Sequence, residues 1–466
     1  MLEQQKTKEI TAITNFRSNI ICYRPGGNDT ALVISNIVDP LVKRTINNTL
    51  MQIYPNIEQV GFVSVKDGTL SLNMAGGEFC GNATRSTAYL ALNGKPGELS
   101  IKVSGVNNNL RAGVDENGDA FAQMPILPEK DKVIKDPKSD SGWFIEMEGI
   151  THYVDFEPSQ IDDLTPEEIK QLSLSKIQQK GLNNFQACGI IYVRQSEKGF
   201  QIVPVVYVKD INTLFLESAC GSGTCALGQV IAIKNGQSVT DLPVLQPSGG
   251  IIKISIVYEK GQFKYGEIRG PIDKISEGTI RTDKNSALYV IERLPLESFN
   301  KLGALNEIVS LYRAVFSEAP YFEEFSEDEV IDFFEEYIKK GVVLIARNDK
   351  GIVGFSAALS LTTQQELTGL ASEFGIEQNN CQYIAELGVR KDVRRREIGQ
   401  GVIEELLMLL PKNNILLRTT SSNIAAIELY KKFGFSTIAG MEQIVSRKRT
   451  DEVSLEDIRI FMIKSF

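Results

Sequence analysis

The chain has 466 residues, a formal net charge of −9, a single histidine and six cysteines. Hydrophobic residues make up 42% and charged residues 23%, as in ordinary folded globular proteins, and at roughly 100–200 residues per domain the length predicts about three domains. The acidic balance argues against general nucleic-acid binding. No apolar run approaches the ~20 residues of a membrane span, and the opening MLEQQKTKEI lacks the apolar core of a secretion signal, so the expected location is the cytoplasm. Six cysteines without a regular framework of spacings predict reduced thiols.

In chain order, apolar spacing predicts a helix over DPLVKRTINNTLMQIY, residues 39–54, and a strand over TLSLNM, residues 69–74. FCGNATRSTAYLAL, residues 79–92, is a cysteine, a short Gly/Asn loop and a helix-like run. SIKVSG, residues 100–105, alternates as a strand, and the charged stretch at residues 125–140 reads as a loop bordering two lobes. His152 reads as a structural histidine. ACGSGTCALGQVIA, residues 219–232, repeats the first cysteine pattern, and IIKISIVY, residues 251–258, is another alternating strand. These elements predict two similar α+β lobes, each wrapping strands around a central helix, with a cleft between them. EGTIRTDKNSA, residues 277–287, is polar and is the expected linker.

The remainder has a different texture. LNEIVSLYRAVF and SEDEVIDFFEEYIKKG read as helices, the second opening with Ser326 and Glu329 at capping-box spacing. Strand-like GVVLIARN and GIVGFSAALS follow. In YIAELGVRKDVRRREIGQGVIEELLMLL, residues 383–410, a strand runs into a basic, Gly-containing loop that opens an apolar-periodic helix. Backbone donors at such a helix start cradle a pyrophosphate, and arginines add charge. The run Arg394, Arg395, Arg396 is better explained by a phosphate ligand than by nucleic acid.

A lone cysteine is most often a small buried hydrophobe, the reading that suits Cys22 and Cys381. Two copies of one Cys-Gly loop, Cys80 and Cys220, point instead to two halves that each present a thiol. Racemisation at a carbon acid needs that arrangement: one group removes the proton and another returns it from the opposite face. N–H groups of Gly81, Asn82, Gly221 and Ser222 at two helix starts would bind a carboxylate, and the same helix ends are expected to lower the thiol pKa values. A disulfide between the two cysteines is a further option. Zinc is disfavoured, because Cys220 and Cys225 have no His-Cys cluster beside them.

Seven stretches in order carry a family resemblance: GGND at 26–29, EQVGF at 58–62, EFCGNAT at 78–84, KVSG at 102–105, AQMP at 122–125, ACGSGT at 219–224 and QPSGG at 246–250. Over residues 10–280 the chain resembles the diaminopimelate epimerase family of two-cysteine racemases. The resemblance implies that Cys80 and Cys220 are the bases, that Gly81, Asn82, Gly221 and Ser222 bind the carboxylate, and that Asn28 and Gln59 are polar active-site side chains. It also implies no PLP, no metal, and final strands that return to the first lobe. The family's distal asparagines are replaced by Met74, Ile150 and Ala187, and its Glu-Arg pair before the second cysteine is missing from KDINTLFLES. An apolar distal pocket cannot offset desolvation of a second amino-acid head. The wording is closer to a subgroup, the histidine racemases of opine-metallophore biosynthesis, in which Glu58 and Glu217 would hold an amine or an imidazole.

The 383–410 stretch and TTSSNIAAIELYKKFGF, residues 419–435, resemble motifs A and B of the GNAT N-acetyltransferases. The resemblance implies acetyl-CoA as cofactor, bound by Val389, Arg394, Arg396, Ile398, Gly399, Gln400, Gly401 and Asn423. Tyr430 would be the general acid toward the leaving thiolate and Glu386 the general base. The expected fold class is α+β: two pseudo-symmetric diaminopimelate-epimerase-like lobes, then a GNAT α/β domain. The expected boundaries are 10–130 for the first lobe, 131–280 for the second, 281–288 for the linker and 289–466 for the acetyltransferase. The expected partners are a small amino-acid substrate and acetyl-CoA. The expected function is a bifunctional racemase and acetyltransferase. The alternatives are a racemase of another amino acid, such as a diamino acid, or one region acting only as a binding or regulatory module.

Overall fold

In a computed structural model the described residues are 13–196, 199–294, 303–446 and 456–466; the opening MLEQQKTKEI lies outside them. The chain divides into two compact units, Ser18–Ser276 and, as the other, Met1–Arg17 with Glu277–Phe466.

The first unit is built twice from one pairing scheme. Strands β1 (Arg17–Pro25), β2 (Asp29–Ile34), β3 (Ile57–Lys66), β4 (Thr69–Met74), β5 (Gly97–Val103), β6 (Leu110–Val114) and β7 (Ala120–Gln123) pair in chain order. Their relations are antiparallel, parallel, antiparallel, parallel, antiparallel, antiparallel. The second lobe has β8 (Val133–Lys135), β9 (Gly142–Met147), β10 (Ile150–Asp155), β11 (Ala187–Ser196), β12 (Gly199–Val208), β13 (Thr213–Leu216), β14 (Val239–Leu245), β15 (Ile251–Glu259) and β16 (Gln262–Gly270). Along β9, β10, β11, β12, β14, β15 and β16 the same six relations recur. β16 also pairs antiparallel with β7, Glu267 opposite Gln123, so the last strands return to the first lobe.

Helices α1 (Pro40–Ile53) and α3 (Pro166–Gln179) occupy equivalent crossovers, after β2 and β10, and α2 (Gly81–Ala91) and α4 (Gly221–Asn235) are the central helices. α1 starts at Asp39, whose side chain accepts from Leu41 N–H, and buries Val42, Ile46, Leu50 and Ile53 along one face. α2 lacks such a face because residues 81–88 are all buried. Its two threonines bond the helix backbone: Thr84 and Thr87 hydroxyls donate to the carbonyls of Cys80 and Ala83 at 2.7 and 2.8 Å.

Two expectations need correction. The 125–140 stretch contains a helical turn, Lys130–Lys132, and β8, which pairs with β9. The polar run at 277–287 is not a free linker. β17 (Ile272–Thr282) pairs antiparallel with β18 (Leu288–Arg293), and Asp283 holds the turn by accepting from Asn285 and Ala287 N–H at 2.8 and 2.9 Å. Its polar residues flank the buried Thr279 and Ile280, so composition alone reads as linker.

In the second unit the described elements after β18 are α5 (Ala304–Phe316), α6 (Glu327–Lys340), β19 (Gly341–Asn348), β20 (Gly351–Ser360), α7 (Gln365–Glu373), β21 (Cys381–Val389), α8 (Ile398–Leu409), β22 (Asn414–Thr420), α9 (Ile424–Lys432), β23 (Ser436–Val445) and β24 (Asp457–Lys464). Ser326 and Glu329 form the expected capping box on α6. β19 alternates: Val343 and Ile345 join a core with α5 and α6, while Leu344 and Ala346 join another with α8. β21 and β22 pair in parallel only from Cys381 to Ile384 and carry no pairing beyond, so the sheet opens toward the C-terminal end of β21.

Candidate active sites

Cys80 and Cys220 occupy the same place in the two lobes. Each is the N-cap of a central helix, with φ, ψ of −137°, 112° and −128°, 110°. The sulfurs accept from the N3 amides, Ala83 N–H at 3.3 Å and Gly223 N–H at 3.2 Å. That leaves the first two amides of each helix, at Gly81, Asn82, Gly221 and Ser222, without an intrahelical partner. The two helix starts converge: a Cβ on Gly81 or on Gly221 would lie 2.8 or 2.6 Å from the same Ile268 Cδ1, and one on Gly221 would lie 3.3 Å from Asn82 Oδ1. The Asn82 amide locks them together, donating to the Ala219 carbonyl at 3.0 Å, while its oxygen accepts from buried Arg85 at 2.9 Å. Gln246 supports Cys220 by accepting its N–H at 2.9 Å.

Both thiols, all four helix-start residues, Gln59, Glu58, Glu78 and Glu217 line one cleft. The thiols are linked through it. Cys80 donates to Gln59 Oε1 at 2.5 Å, Gln59 Nε2 donates to Glu217 Oε1 at 2.9 Å, and Glu217 is hydrogen-bonded to the Cys220 thiol. Ser222 Oγ lies 3.5 Å from the Cys220 sulfur and 2.8 Å from His152 Nε2. Burial pushes His152 down to about 3, so its ring is neutral near pH 7; it supports Ser222 and does not line the cleft.

The expectation of lowered thiol pKa values is overturned. Burial pushes both cysteines up, with Glu217 and Glu78 adding to it at Cys80 and Glu217 at Cys220, and the helix-start amides do not compensate. The cleft carboxyls are pushed up too, chiefly by burial: Glu58 and Glu78 to about 7 and Glu217 to about 8. Carboxyls raised in the folded state stabilise it fully below their unfolded pKa, and that contribution is lost as pH rises through the folded values. The ligand-free chain should therefore lose stability on the order of several kcal/mol between about pH 4.5 and pH 8. Thermal unfolding across that range checks this; a Tm that rises toward pH 8 contradicts it.

Asn28 is also displaced from its expected role. It is fully buried behind the cleft, donating to Glu58 at 2.6 Å and accepting from Thr30 at 2.9 Å. Glu58 is in turn held by Ser218 N–H and hydroxyl, so both position the wall. Of the three apolar replacements only Ile150 lines the cleft; Met74 and Ala187 are buried elsewhere. Gln246, Arg85, Ser218 and Glu78 were not singled out from sequence. For Glu78 the signal was present, a carboxylate two residues before Cys80. All six cysteines are free thiols.

In the second unit Glu386 and Tyr430 line one cavity with Arg418, Arg459, Glu323 and Tyr312. Glu386 stands at a β-bulge in β21, where Ala357 and Ala358 face Glu386 and Ile384. Its Oε1 accepts from Tyr312 and Tyr337 hydroxyls at 3.1 and 3.0 Å, and burial pushes it up to about 7. Burial likewise pushes the Tyr430 phenol up. Asn423 caps α9, accepting from Ala426 N–H at 3.2 Å, and donates to Tyr321.

The loop before α8 turns through left-handed Arg395 and Glu397, φ 63° and 70°. The free helix-start amides are those of Ile398, Gly399 and Gln400. Gly401 is a correction, because its N–H already bonds the Glu397 carbonyl at 2.9 Å. Its missing side chain makes room for Tyr289: a Cβ there would lie 2.4 Å from the hydroxyl. Gly401→Ala should cost about 1–3 kcal/mol in urea unfolding, and Tyr289→Phe in the same chain should recover part of it. No loss in the single variant would contradict this packing. The arginines are engaged locally: Arg394 with the Val389 carbonyl at 2.9 Å and Glu318 at 3.1 Å, Arg396 with Asp283 at 3.9 Å.

The family profile described as histidine racemase CntK N-terminal domain matches residues 19–281, more than half of the chain. The chain belongs to that family. The acetyltransferase (GNAT) family matches residues 305–435, so a histidine-racemase-family region and a GNAT region share one chain, an isomerase and an acyltransferase. Among similar proteins is a histidine racemase of Fusobacterium nucleatum subsp. nucleatum, 28% identical over 273 residues, 56% of this chain and 96% of that protein. Another, from Staphylococcus aureus, is 26% identical over 242 residues, 50% of this chain and 86% of its own. Among solved structures, a hydroxyproline epimerase from Agrobacterium vitis is 11% identical over 57% of this chain and 92% of its own, with a TM-score of 0.39. No helix of the described residues is long and apolar enough to cross a membrane.

Proposed function

We propose that the histidine-racemase-family region is a cofactor-independent, two-cysteine racemase of histidine, and that the GNAT region transfers acetyl from acetyl-CoA to an amine. The racemase reading rests on one observation above all: two thiols at two helix starts, related by an internal duplication, line one cleft. The substrate carboxylate lies on the amides of Gly81, Asn82, Gly221 and Ser222, which stabilise the charge that develops on it as the Cα proton leaves. One sulfur, as thiolate, takes that proton and the other, as thiol, supplies one to the opposite face; the roles exchange with the handedness of the substrate. Gln59 and Glu217, which already bond the thiols, lie beside the reacting carbon and hold its amino group. Glu217 also receives the Cys220 proton when that sulfur serves as the base.

For the GNAT region, the opening between β21 and β22 and the free amides of Ile398, Gly399 and Gln400 fit a pantetheine and its pyrophosphate. Acetyl-CoA, when bound, supplies an activated acetyl thioester. Glu386 takes the acceptor's proton and Tyr430 gives one to the departing sulfur. The lobe boundaries at 10–130 and 131–280, and an acetyltransferase domain over 289–466, belong to this proposal, as does a cytoplasmic location.

The substrate is tested by Cα–H exchange in D₂O with no cofactor added. L-Histidine should exchange at least about tenfold faster than diaminopimelate, whose second charged head meets the apolar wall of Ile150, Val206 and Val208. A preference for diaminopimelate would overturn the assignment.

A further inference from the structure

The three carboxyls of the cleft are not equivalent. Glu58 accepts from Asn28, from the Ser218 amide and from the Ser218 hydroxyl. Glu217 is tied to Gln59 and to the Cys220 thiol. Glu78 is different: the residue is only 7% exposed, yet its Oε2 has no hydrogen-bond partner. Its surroundings are apolar on the side of that oxygen. A Cβ on Gly76 would lie 2.7 Å from Oε2, 2.6 Å from a Val208 methyl and 3.3 Å from Ile211. Backbone amides of Glu78 and Gly76 serve the carboxyl, but an oxygen buried without a hydrogen-bond partner of its own is costly and calls for one.

The backbone carrying Glu78 is held rigidly. Ser104 Oγ donates to its carbonyl at 2.8 Å. Gly105 and Gly149, at φ 75° and 78°, press against the next residue; Cβ atoms there would lie 2.8 Å from Phe79 N and 2.9 Å from Phe79 Cβ. Two residues on is Cys80, which lines the same cleft and whose thiol feels the Glu78 charge. Among the described residues lining the cleft none is a Lys, Arg or His. Apolar side chains, Ile150, Val206 and Phe215, line the same space.

We infer that Glu78 selects the side chain of the substrate: its unpartnered oxygen takes the N–H of a basic, flat heteroaromatic ring held among those apolar side chains. Glu58 then shapes the wall and Glu217 serves Cys220, which reassigns the ring-binding role that the sequence gave to those two. The inference rests on the racemase reading above and deepens it.

The test compares L-histidine with L-triazolylalanine, a near-isosteric ring of much lower basicity, by Cα–H exchange in D₂O. The wild-type chain should prefer histidine. In Glu78→Gln the KM for histidine should rise roughly 10- to 100-fold, and the preference over triazolylalanine should collapse to within about threefold, with slow exchange of triazolylalanine retained. Glu78→Asp, which keeps the charge, should restore part of the preference and guards against a folding defect in the first variant. An unchanged preference in both variants overturns the role of Glu78 while leaving the racemase reading standing. A wild-type chain inert on every L-amino acid removes that reading, and the inference with it.

Discussion

Cys80→Ala and Cys220→Ala should each lower racemisation on the order of 10³-fold or more, measured as D-histidine formed from L-histidine. Either change leaves one face of the reacting carbon without its acid or base, and no other thiol can substitute. Among the described residues only these two cysteines line the cleft. Cys22 and Cys381 are buried away from it, so Cys22→Ala and Cys381→Ala should retain activity as far as they fold. The raised thiol pKa values sharpen the expectation. Burial and the neighbouring carboxyls hold both sulfurs protonated in the closed cleft, so activity should climb as pH rises above 7 and Glu217 gives up its proton. Near-normal rates in both cleft variants would end the two-thiol account.

The second large effect is expected in the GNAT region. Tyr430→Phe should slow acetyl transfer on the order of 10²-fold and leave CoA affinity unchanged, because only the proton for the leaving sulfur is lost. Glu386→Gln should lower transfer to a similar extent and also abolish the rise of rate through about pH 7 that its raised pKa implies. Below that value the carboxyl is protonated and cannot accept. Neither change should alter Cα–H exchange, since Tyr430 and Glu386 lie outside the residues lining the racemase cleft. Calorimetry with CoA separates the outcomes: no binding to the wild-type chain would reject a working acetyltransferase and favour a silent module.

The parts legible in the sequence were those written in local pattern. The two Cys-Gly helix starts, the Ser326 capping box and the alternating strands each depend on a few neighbouring residues, and each stands where the pattern put it. The parts that escaped depend on distant contacts. Arg85 is buried by the fold beside Asn82 and the Gly270 carbonyl, the latter a contact that its own helix does not reveal. Gly401 reads as a phosphate-loop glycine, but a tyrosine more than a hundred positions earlier claims its space. The raised thiol pKa values have the same origin. Helix-start amides are visible in sequence, whereas the depth of burial and the convergence of three glutamates are not. Asn28 lies behind the cleft because its amide donates to Glu58 and its oxygen accepts from Thr30, contacts that the sequence does not display.

The central claim is that two different groups handle the proton on the two faces of one carbon. Its most direct test is the isotope content of both histidine pools early in the reaction of L-histidine in D₂O. With two bases, the D-histidine formed should carry solvent deuterium at Cα from the first turnovers, while the remaining L-histidine keeps protium. Early D-histidine that retains substrate protium, together with deuterium entering the L-histidine pool at a comparable rate, would mean that a single base serves both faces and would contradict the account.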